Sequence, residues 1–344
     1  MKNAIILMTA LVPTTGHSDL IEFAANLPNT KVHVLINGRS FEPIETETRE
    51  HALTEHFATM KNVIIRSSII DSAPQNPEEM ETGFWEWWKK EINDNFPETE
   101  NNWDYVVASE TYGQNVAESL NAEFIPYDIS RTFNKARGTD VRNNLWENWN
   151  DILPEFKKFL HLKATIFGQE SVGKTTVSQA VAKALDSLWV MEYARPYLEA
   201  VGNEVTLDKM GIIHKGQAAL QSKAFNNAVT PVTVLDTDLF STVGYYSIML
   251  EDSTNECIED AMKLASDVYY VMPDDIPFVE DPLRYGGDQR ESDKFFWLCI
   301  LKKYNLNHVI VPSGTVEEKT DFIATDIVQR FLNSHKNIIE FERT

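Results

Sequence analysis

Short apolar, β-prone runs alternate along the chain with longer segments that carry apolar residues at helical spacing. In the first half, the apolar runs predict strands at 4–8, 31–36, 63–70, 105–108 and 123–127. The segments between them predict helices at 18–27, 46–60, 78–96 and 114–120. Strands that alternate with helices indicate a parallel, doubly wound sheet, which binds ligands beyond the carboxyl ends of its strands.

A second series of the same kind begins at residue 163. It predicts strands at 163–167, 188–191, 232–235, 267–272 and 308–311, again with helical segments between them. The pattern therefore predicts two α/β domains, at 1–145 and 163–344. The segment 146–162 joins them, and its Trp146, Trp149 and Phe156 indicate a packed connector rather than a flexible linker.

The composition is that of a globular protein, since 43% of the 344 residues are hydrophobic and 11% are aromatic. The formal net charge of −21 argues against nucleic acid and anionic membranes as partners, because proteins that track phosphates present an excess of Lys and Arg. Any anionic substrate must therefore be held by local groups of residues.

The two cysteines, Cys257 and Cys299, provide neither a disulfide framework nor a zinc-binding spacing, which fits a reducing cytoplasm. The apolar run 4–12 continues directly into Pro13 and is interpreted as a first strand, not a signal peptide. No stretch approaches the ~20 apolar residues of a membrane span. We therefore expect a cytoplasmic protein without a membrane partner, and its oligomeric state stays open.

A complete phosphate-binding loop follows the first strand of the second series. It is the run Gly168-Gln169-Glu170-Ser171-Val172-Gly173-Lys174-Thr175. Its glycines let successive backbone N–H groups point at a polyphosphate, Lys174 supplies a cation for the outer phosphates, and Thr175 offers a hydroxyl to magnesium. The helical spacing that begins at Lys174 completes the strand, loop and helix that this motif requires.

Two carboxylates follow the buried-looking strand 232–235, at Asp236 and Asp238. An acidic group at the carboxyl end of a strand near a phosphate loop can bind magnesium or accept the proton of an attacking hydroxyl. The sequence predicts such a role for this pair and does not show which of the two acts as the base.

The first strand of the chain ends in Pro13-Thr14-Thr15-Gly16-His17, and a helix is predicted from Ser18. Gly16 lets the backbone approach a phosphate, while Thr14 and His17 can donate hydrogen bonds to it. A helix N-terminus adds its dipole to the same charge. Positioning and charge neutralisation of this kind suit nucleotidyl transfer, which needs no covalent intermediate.

A second element follows 131–133, at Gly138-Thr139-Asp140-Val141-Arg142. Here Thr139 is expected to cap a helix whose first turn presents Arg142 to a triphosphate. An alternative register uses Ser130, Thr132 and Lys135 instead. The first register is preferred because it keeps Arg-Thr-Phe before it and Asn-Asn after it.

These motifs resemble, in order and spacing, those of the bifunctional NadR-type enzymes. The resemblance covers nearly the whole chain and rests on 14–17, 131–133, 138–144, 168–175, Glu192-Tyr193-Ala194-Arg195 and Leu235-Asp236-Thr237-Asp238. It implies an N-terminal Rossmann-like nucleotidyltransferase domain followed by a P-loop kinase domain, both with parallel sheets.

The resemblance also implies two activities of NAD salvage. The kinase would phosphorylate nicotinamide riboside with ATP, and the transferase would join nicotinamide mononucleotide to AMP from a second ATP, giving NAD and pyrophosphate. Mg²⁺ is the implied cofactor. Two alternatives stay open: only the riboside kinase is active, or the chain is a non-catalytic module that senses nucleotides.

In the first domain, the resemblance implies that Trp85 and Arg49 contact nicotinamide mononucleotide and that ATP contacts Thr14, Gly16, His17, Gly138, Thr139 and Arg142. The chain departs from the family at Thr14, where a His is usual, and at Arg137, where a Ser is usual. Some relatives carry an N-terminal helix-turn-helix repressor domain, whereas this sequence begins at the first strand.

In the second domain, the resemblance implies a riboside site formed by Glu192, Tyr193, Arg195 and Asp236. Catalysis would fall to Lys174, Asp236 and Asp238, and the metal to Thr175 and Asp238. Arg284 and Arg290 lie in a Gly-containing loop that we interpret as a lid over the transferring phosphoryl group. The predicted ATP contacts are Gly168, Glu170, Ser171, Val172, Gly173, Lys174, Thr175, Thr176, Arg284 and Arg290.

Overall fold

A computed structural model of the chain describes residues 1–80, 82–202, 204–250, 255–277 and 290–341; the side chains of 249, 250, 255 and 290–293 are outside that description. The chain divides into two compact units. Unit 1 consists of Met1–Lys157 together with His335–Thr344, and unit 2 consists of Lys158–Ser334.

Unit 1 is built on a parallel sheet whose strands begin and end close to the predicted positions. Its strands are β1 (Lys2–Met8), β2 (Thr30–Gly38), β3 (Val63–Ile69), β4 (Tyr105–Ala108) and β5 (Glu123–Pro126). The order across the sheet is β3-β2-β1-β4-β5, so β1 lies in the middle. The doubly wound parallel sheet predicted for this half is confirmed.

The helices of unit 1 connect these strands. They are α1 (Thr15–Ala25), α2 (Thr46–His56), α3 (Phe84–Asn95), α4 (Tyr112–Leu120), α5 (Gly138–Asn143) and α6 (Pro154–Lys157). The helix predicted at 78–96 begins only at Phe84, because Gly83 adopts a left-handed conformation with φ 85°. Short 3₁₀ turns occupy Pro77–Glu79, Pro97–Thr99 and Trp149–Asp151.

Most of the predicted connector belongs to the fold of unit 1. Leu153 N–H donates to the Pro13 carbonyl at 2.9 Å, and an isolated bridge pairs Ile152 with Thr14. Trp149 and Phe156 are buried. The segment is therefore packed, as its aromatic residues indicate, and it supports the turn that precedes α1.

Unit 2 contains a second parallel sheet, with strands β6 (Leu162–Phe167), β7 (Leu188–Val190), β8 (Val232–Asp236), β9 (Val268–Val271) and β10 (His308–Ile310). Their order is β10-β9-β6-β8-β7, which places β6 between β8 and β9. The loop after β6 therefore leaves the middle of the sheet, at the carboxyl edge where β8 also ends.

The helices of unit 2 are α7 (Lys174–Ala184), α8 (Ala194–Val201), α9 (Leu207–Asn227), α10 (Leu239–Leu250), α11 (Asn255–Lys263), α12 (Arg290–Lys303) and α13 (Val316–Ser334). The last helix, α14 (Lys336–Ile339), returns to unit 1 and contacts α5. Among the described helices, none combines the length and the apolar character needed to cross a membrane.

Candidate functional sites

The turn between β1 and α1 holds its histidine in a fixed orientation. Thr14 has an extended backbone and is the N-cap of α1, and His17 occupies the third helical position. The Thr14 N–H donates to His17 Nδ1 at 3.0 Å, and the Thr14 hydroxyl lies 2.8 Å from the same nitrogen. This reciprocal capping starts α1 at Thr15, three residues before the predicted Ser18.

These contacts also determine the state of the imidazole. Because Nδ1 accepts the Thr14 N–H, the proton of the neutral ring is assigned to Nε2. Burial, assisted by the charge of Arg131, lowers the pKa of His17 from 6.5 to about 4. At neutral pH the ring is therefore uncharged and offers one donor, at Nε2.

The structure brings the two predicted motifs of unit 1 together. A methyl group in place of the Gly138 hydrogen would lie 3.5 Å from His17 Cε1 and 3.9 Å from His17 Nε2, so the start of α5 faces the imidazole. A methyl group on Gly16 would lie only 2.8 Å from the Ala136 carbonyl oxygen. Gly16 thus permits close contact between α1 and the segment that leads to α5.

That segment is folded by one carboxylate. Asp128 accepts hydrogen bonds from the backbone N–H groups of Thr132, Phe133 and Asn134 at 2.6 to 3.1 Å. The Asn134 amide in turn donates to Asp19 of α1 at 2.6 Å. The alternative register at Ser130 and Thr132 therefore lies in a turn, while the preferred register at Gly138 begins the helix beside His17.

Two details of the second motif differ from expectation. Arg137, not Thr139, is the N-cap of α5, because its extended backbone (φ −92°, ψ 129°) starts the helix at Gly138. Arg142 consequently lies in the last turn of α5 rather than the first. It is half-buried, burial lowers its pKa, and its Nε has no hydrogen-bond partner within the described ranges.

Arg49 and Trp85, predicted to contact the mononucleotide, both make contacts within the protein. Arg49 is fully buried, with an ion pair to Glu42 at 2.6 Å and a hydrogen bond to the Thr9 carbonyl at 3.2 Å. It thereby supports the turn before α1. Trp85 is half-buried, packs against the apolar core of unit 1 and meets the Phe84 ring edge-on.

A partly buried polar chain that begins next to His17 was not predicted. Ser18 Oγ lies 2.8 Å from His56 Nε2, and His56 Nδ1 lies 2.9 Å from Glu155 Oε2. The chain links α1, α2 and α6. No sequence pattern points to it, because its three members are far apart in the sequence and meet only through the fold.

In unit 2, the phosphate-binding loop adopts a strained conformation. Three of its residues have positive φ: Gly168 (134°), Ser171 (58°) and Gly173 (82°). Lys174 Nζ donates to the Gln169 carbonyl at 2.7 Å, which holds the ammonium group across the loop. The loop then enters α7 at Lys174, so the helix N-terminus faces the same concavity.

The two aspartates after β8 have different surroundings. Asp236 accepts a hydrogen bond from the Thr175 hydroxyl and lies near Lys174 and Arg195; burial raises its pKa. Thr175, which the resemblance assigns to the metal, thus lies beside Asp236, which it assigns to catalysis and to the riboside site.

Asp238 instead supports the fold. One oxygen accepts from the Tyr269 hydroxyl at 2.7 Å, and the other accepts from the backbone N–H groups of Phe240 and Ser241 at 3.0 and 3.3 Å. Burial raises its pKa to about 6. The geometry therefore favours Asp236 over Asp238 for the predicted metal position beside Thr175.

A cleft of about 550 Å³ of empty space, including its open mouth, lies next to the loop. Glu170, Glu192 and Thr237 line it on the side of the loop and β8. Apolar side chains of α8 and α9 and hydroxyl-bearing side chains of α10 contribute much of the rest. The lining is Glu170, Glu192, Ala194, Leu198, Val205, Met210, Ile213, Gln217, Thr237, Ser241, Thr242 and Tyr245.

Glu192 is the predicted riboside residue that lines this cleft most directly. Burial raises its pKa, with the charge of Lys174 opposing and that of Asp236 adding to the shift. Tyr193 is fixed by its neighbours, since its N–H donates to Gln217 Oε1 at 2.8 Å and its ring stacks on Tyr197 with 6.0 Å between centroids. Arg195, in the first turn of α8, is near enough to Glu192 and Asp236 to influence the pKa of both.

The predicted lid falls largely outside the described residues. This is true of Arg284, and Arg290 is described only as the first residue of α12, without its side chain. Val172 is buried and Thr176 is exposed in the first turn of α7. Sequence reasoning missed Gln217, for which a polar residue on the apolar face of a helix was the available signal.

Comparison with known proteins agrees with this description. The AAA domain family model matches residues 163–319. The "Trifunctional NAD biosynthesis/regulator protein NadR" of Salmonella typhimurium and that of Escherichia coli are each 26% identical to this chain over 66% of its length. The matched regions span 57% of each relative, so the chain corresponds to little more than half of those proteins.

Two solved structures have the same fold along the whole chain. One is a crystal structure of NadR protein in complex with NR, with a TM-score of 0.66, and the other is of NadR protein in complex with NAD and AMP-PNP, with a TM-score of 0.65. Each is 21% identical and covers 100% of this chain and 98% of its own. The chain is therefore similar to the NadR proteins in sequence and in α/β fold, and its second unit contains the P-loop domain that the family model matches.

Proposed function

We propose that the chain is an enzyme of NAD salvage with two activities. Unit 2 transfers the γ-phosphoryl group of ATP to the 5′-hydroxyl of nicotinamide riboside. Unit 1 then joins nicotinamide mononucleotide to the AMP part of a second ATP, giving NAD and pyrophosphate. The observation that carries the proposal is the open cleft beside a complete phosphate-binding loop in unit 2, lined by carboxylate, amide and apolar side chains.

In the kinase step, the hydroxyl of the riboside loses its proton and attacks the γ-phosphorus, while the bond from that phosphorus to the β-phosphate oxygen breaks. Glu192 lines the cleft and has a raised pKa, so it is the carboxylate best placed to accept the proton. Lys174 and the N-terminus of α7 neutralise charge on the phosphates.

The residues around Thr175 fit a magnesium ion that is held together with nucleotide phosphates. Mg²⁺ prefers oxygen ligands and uses one or two carboxylates in addition to the substrate. The Thr175 hydroxyl and the Asp236 carboxylate are such oxygens and contact each other. When bound, the ion would neutralise charge on the transferring phosphates.

In the transferase step, a phosphate oxygen of the mononucleotide attacks the α-phosphorus of ATP and pyrophosphate leaves. The neutral His17 offers Nε2–H to the oxygens that gain charge, and the adjacent N-termini of α1 and α5 supply backbone donors. The replacement of the usual His by Thr14 is compatible with this role, because Thr14 orients the His17 ring through Nδ1.

The ligands named for the similar structures, NR, NAD and AMP-PNP, are of the classes that this proposal requires. The test is a chromatographic assay of the purified protein with nicotinamide riboside, ATP and Mg²⁺. We expect mononucleotide to form first and NAD to follow, with ADP and pyrophosphate in matching amounts. Mononucleotide alone would leave only the kinase, and the absence of any product would overturn both assignments.

A further inference from the structure

One buried amide in the cleft of unit 2 is only half satisfied. Gln217 is 2% exposed and lines the cleft. Its Oε1 accepts the Tyr193 N–H at 2.8 Å, but its Nε2 has no hydrogen-bond partner in the part of the chain that the structure describes. A buried donor without a partner is destabilising, so its presence here calls for an acceptor that a bound ligand supplies.

The position of Gln217 along α9 indicates which part of a ligand it meets. Met210, Ile213 and Gln217 are spaced three and four residues apart, so they share the face of α9 that borders the cleft. One turn further, Gln221 is satisfied within the protein, since it accepts from the Leu239 N–H and donates to the Leu264 carbonyl. Gln217 is thus the last residue of this face that is available to a ligand.

Gln217 also lies at the boundary between the polar and apolar parts of the cleft. Its amide oxygen accepts a hydrogen bond from the N–H of Tyr193. Tyr193 directly follows Glu192, the carboxylate proposed to act on the 5′-hydroxyl. In the other direction along α9 the lining is Ile213 and Met210, which suit a flat ring. In a bound riboside, the ribose lies between the reacting hydroxyl and the ring.

We propose that Gln217 Nε2 donates a hydrogen bond to a ribose hydroxyl of the nucleoside and thereby selects a ribonucleoside over its deoxy analogues. This assignment rests on the proposed kinase function. It deepens that function, because it names the group of the substrate that unit 2 recognises.

The test compares nicotinamide riboside with its 2′-deoxy and 3′-deoxy analogues. The variant Gln217→Glu keeps an oxygen for the Tyr193 N–H and, in its ionised form, presents an acceptor in place of the donor. We expect kcat/KM for the riboside to fall roughly 10- to 100-fold, while kcat/KM for one of the deoxy analogues changes little. The unaltered protein should prefer the riboside to that analogue by a similar factor.

Gln217→Met is a second variant that adds no charge, and it should abolish the same preference. Comparing substrates within one variant removes any general effect on folding. Equal losses of kcat/KM on all three substrates would overturn the role of Gln217. A loss of kcat/KM that is absent only for an analogue without the carboxamide would also overturn it, because the contact would then be to the ring substituent and not to the ribose. If neither variant folds, the absence of ribose preference in the unaltered protein overturns it.

A lack of riboside phosphorylation by the unaltered protein would overturn the proposed kinase and this inference together. Equal kcat/KM for the riboside and for both deoxy analogues would overturn this inference alone.

Discussion

The turns that follow the central strand of each unit, both proposed to bind phosphate, are organised by different means. In unit 1, side chains organise the turn: Thr14 and His17 cap α1 reciprocally, and the backbone uses no positive φ between them. In unit 2, the backbone organises the loop, with Gly168, Ser171 and Gly173 at positive φ. A strained backbone exposes consecutive N–H groups, whereas a capping box occupies two of them.

The difference teaches which residues each turn depends on. The loop of unit 2 directs its own N–H groups towards the proposed ligand. The ammonium group of Lys174 then completes the site. The turn of unit 1 gives up backbone donors to the cap and depends on the Nε2–H of His17 and on the nearby start of α5. Each unit should therefore be disabled by a different single substitution.

Lys174→Ala should have the largest effect. The substitution removes the cation held across the loop, at 2.7 Å from the Gln169 carbonyl, and we expect riboside phosphorylation to fall by ~10³-fold or more. NAD formation from supplied mononucleotide should be unchanged. Loss of both reactions in a folded variant would show that the two sites are not independent.

His17→Ala should produce the reverse result, with a smaller effect. Loss of one donor to a developing charge reduces turnover by roughly 10²- to 10³-fold, so adenylylation of mononucleotide should fall by this amount while riboside phosphorylation continues. The two reactions are measured separately by supplying mononucleotide or riboside. Unimpaired adenylylation in this variant would remove His17 from the site.

A pair of glycines in α9 tests how unit 2 supports its cleft. A methyl group on Gly216 would lie 2.2 Å from the Tyr193 ring, whereas one on Gly211 would meet nothing within 4 Å. Gly216→Ala should therefore destabilise the protein by ~1–3 kcal/mol and raise the KM for riboside. Gly211→Ala should stabilise it by roughly 0.5–1 kcal/mol, because alanine is the better helix former. Urea unfolding and riboside kinetics measure both effects, and equal behaviour of the two variants would contradict the packing of Tyr193.

The elements that sequence reasoning predicted well are those fixed by local pattern. The strands of both sheets and the loop from Gly168 to Thr175 follow from apolar runs and from residue types that the backbone requires. The start of α1 was predicted less well, since the capping partner of Thr14 is a histidine, and histidine is not the usual Glu or Gln of a capping box.

What could not be predicted depends on residues that meet only in the folded chain. The sequence places Asp236 and Asp238 alike at the end of one strand, but Tyr269 of β9 and the N-terminus of α10 engage only Asp238. The burial of Arg49 likewise follows from its pairing with Glu42 across a loop. Neither the difference between the two aspartates nor the burial of Arg49 is indicated by the spacing of residues along the sequence.

The two units should also respond differently to mild acid. In unit 1, burial lowers the pKa of His17 and His33 from 6.5 to about 4, so unfolding takes up protons between these values and stability falls as the pH falls. In unit 2, burial raises the pKa of Asp238 from 3.8 to about 6, so folding takes up a proton and stability rises as the pH falls through that range. His161 of unit 2, whose pKa burial lowers from 6.5 to about 4, opposes this gain by a comparable amount, so unit 2 should change little in stability while unit 1 loses it.

Native-state hydrogen exchange at pH 7 and pH 5, corrected for the intrinsic pH dependence of exchange, measures the stability of each unit through the amides of its own central strands. We expect β1 and β2 to lose protection on acidification, by an amount on the order of 2 kcal/mol, relative to β6 and β8. Asp238→Asn is the matched control, because its amide oxygen still accepts from Phe240 and Ser241 while its titration is gone. If acidification shifts the two sheets equally in the unaltered protein and in this variant, then the buried histidines of unit 1 and the buried aspartate of unit 2 do not set the acid response.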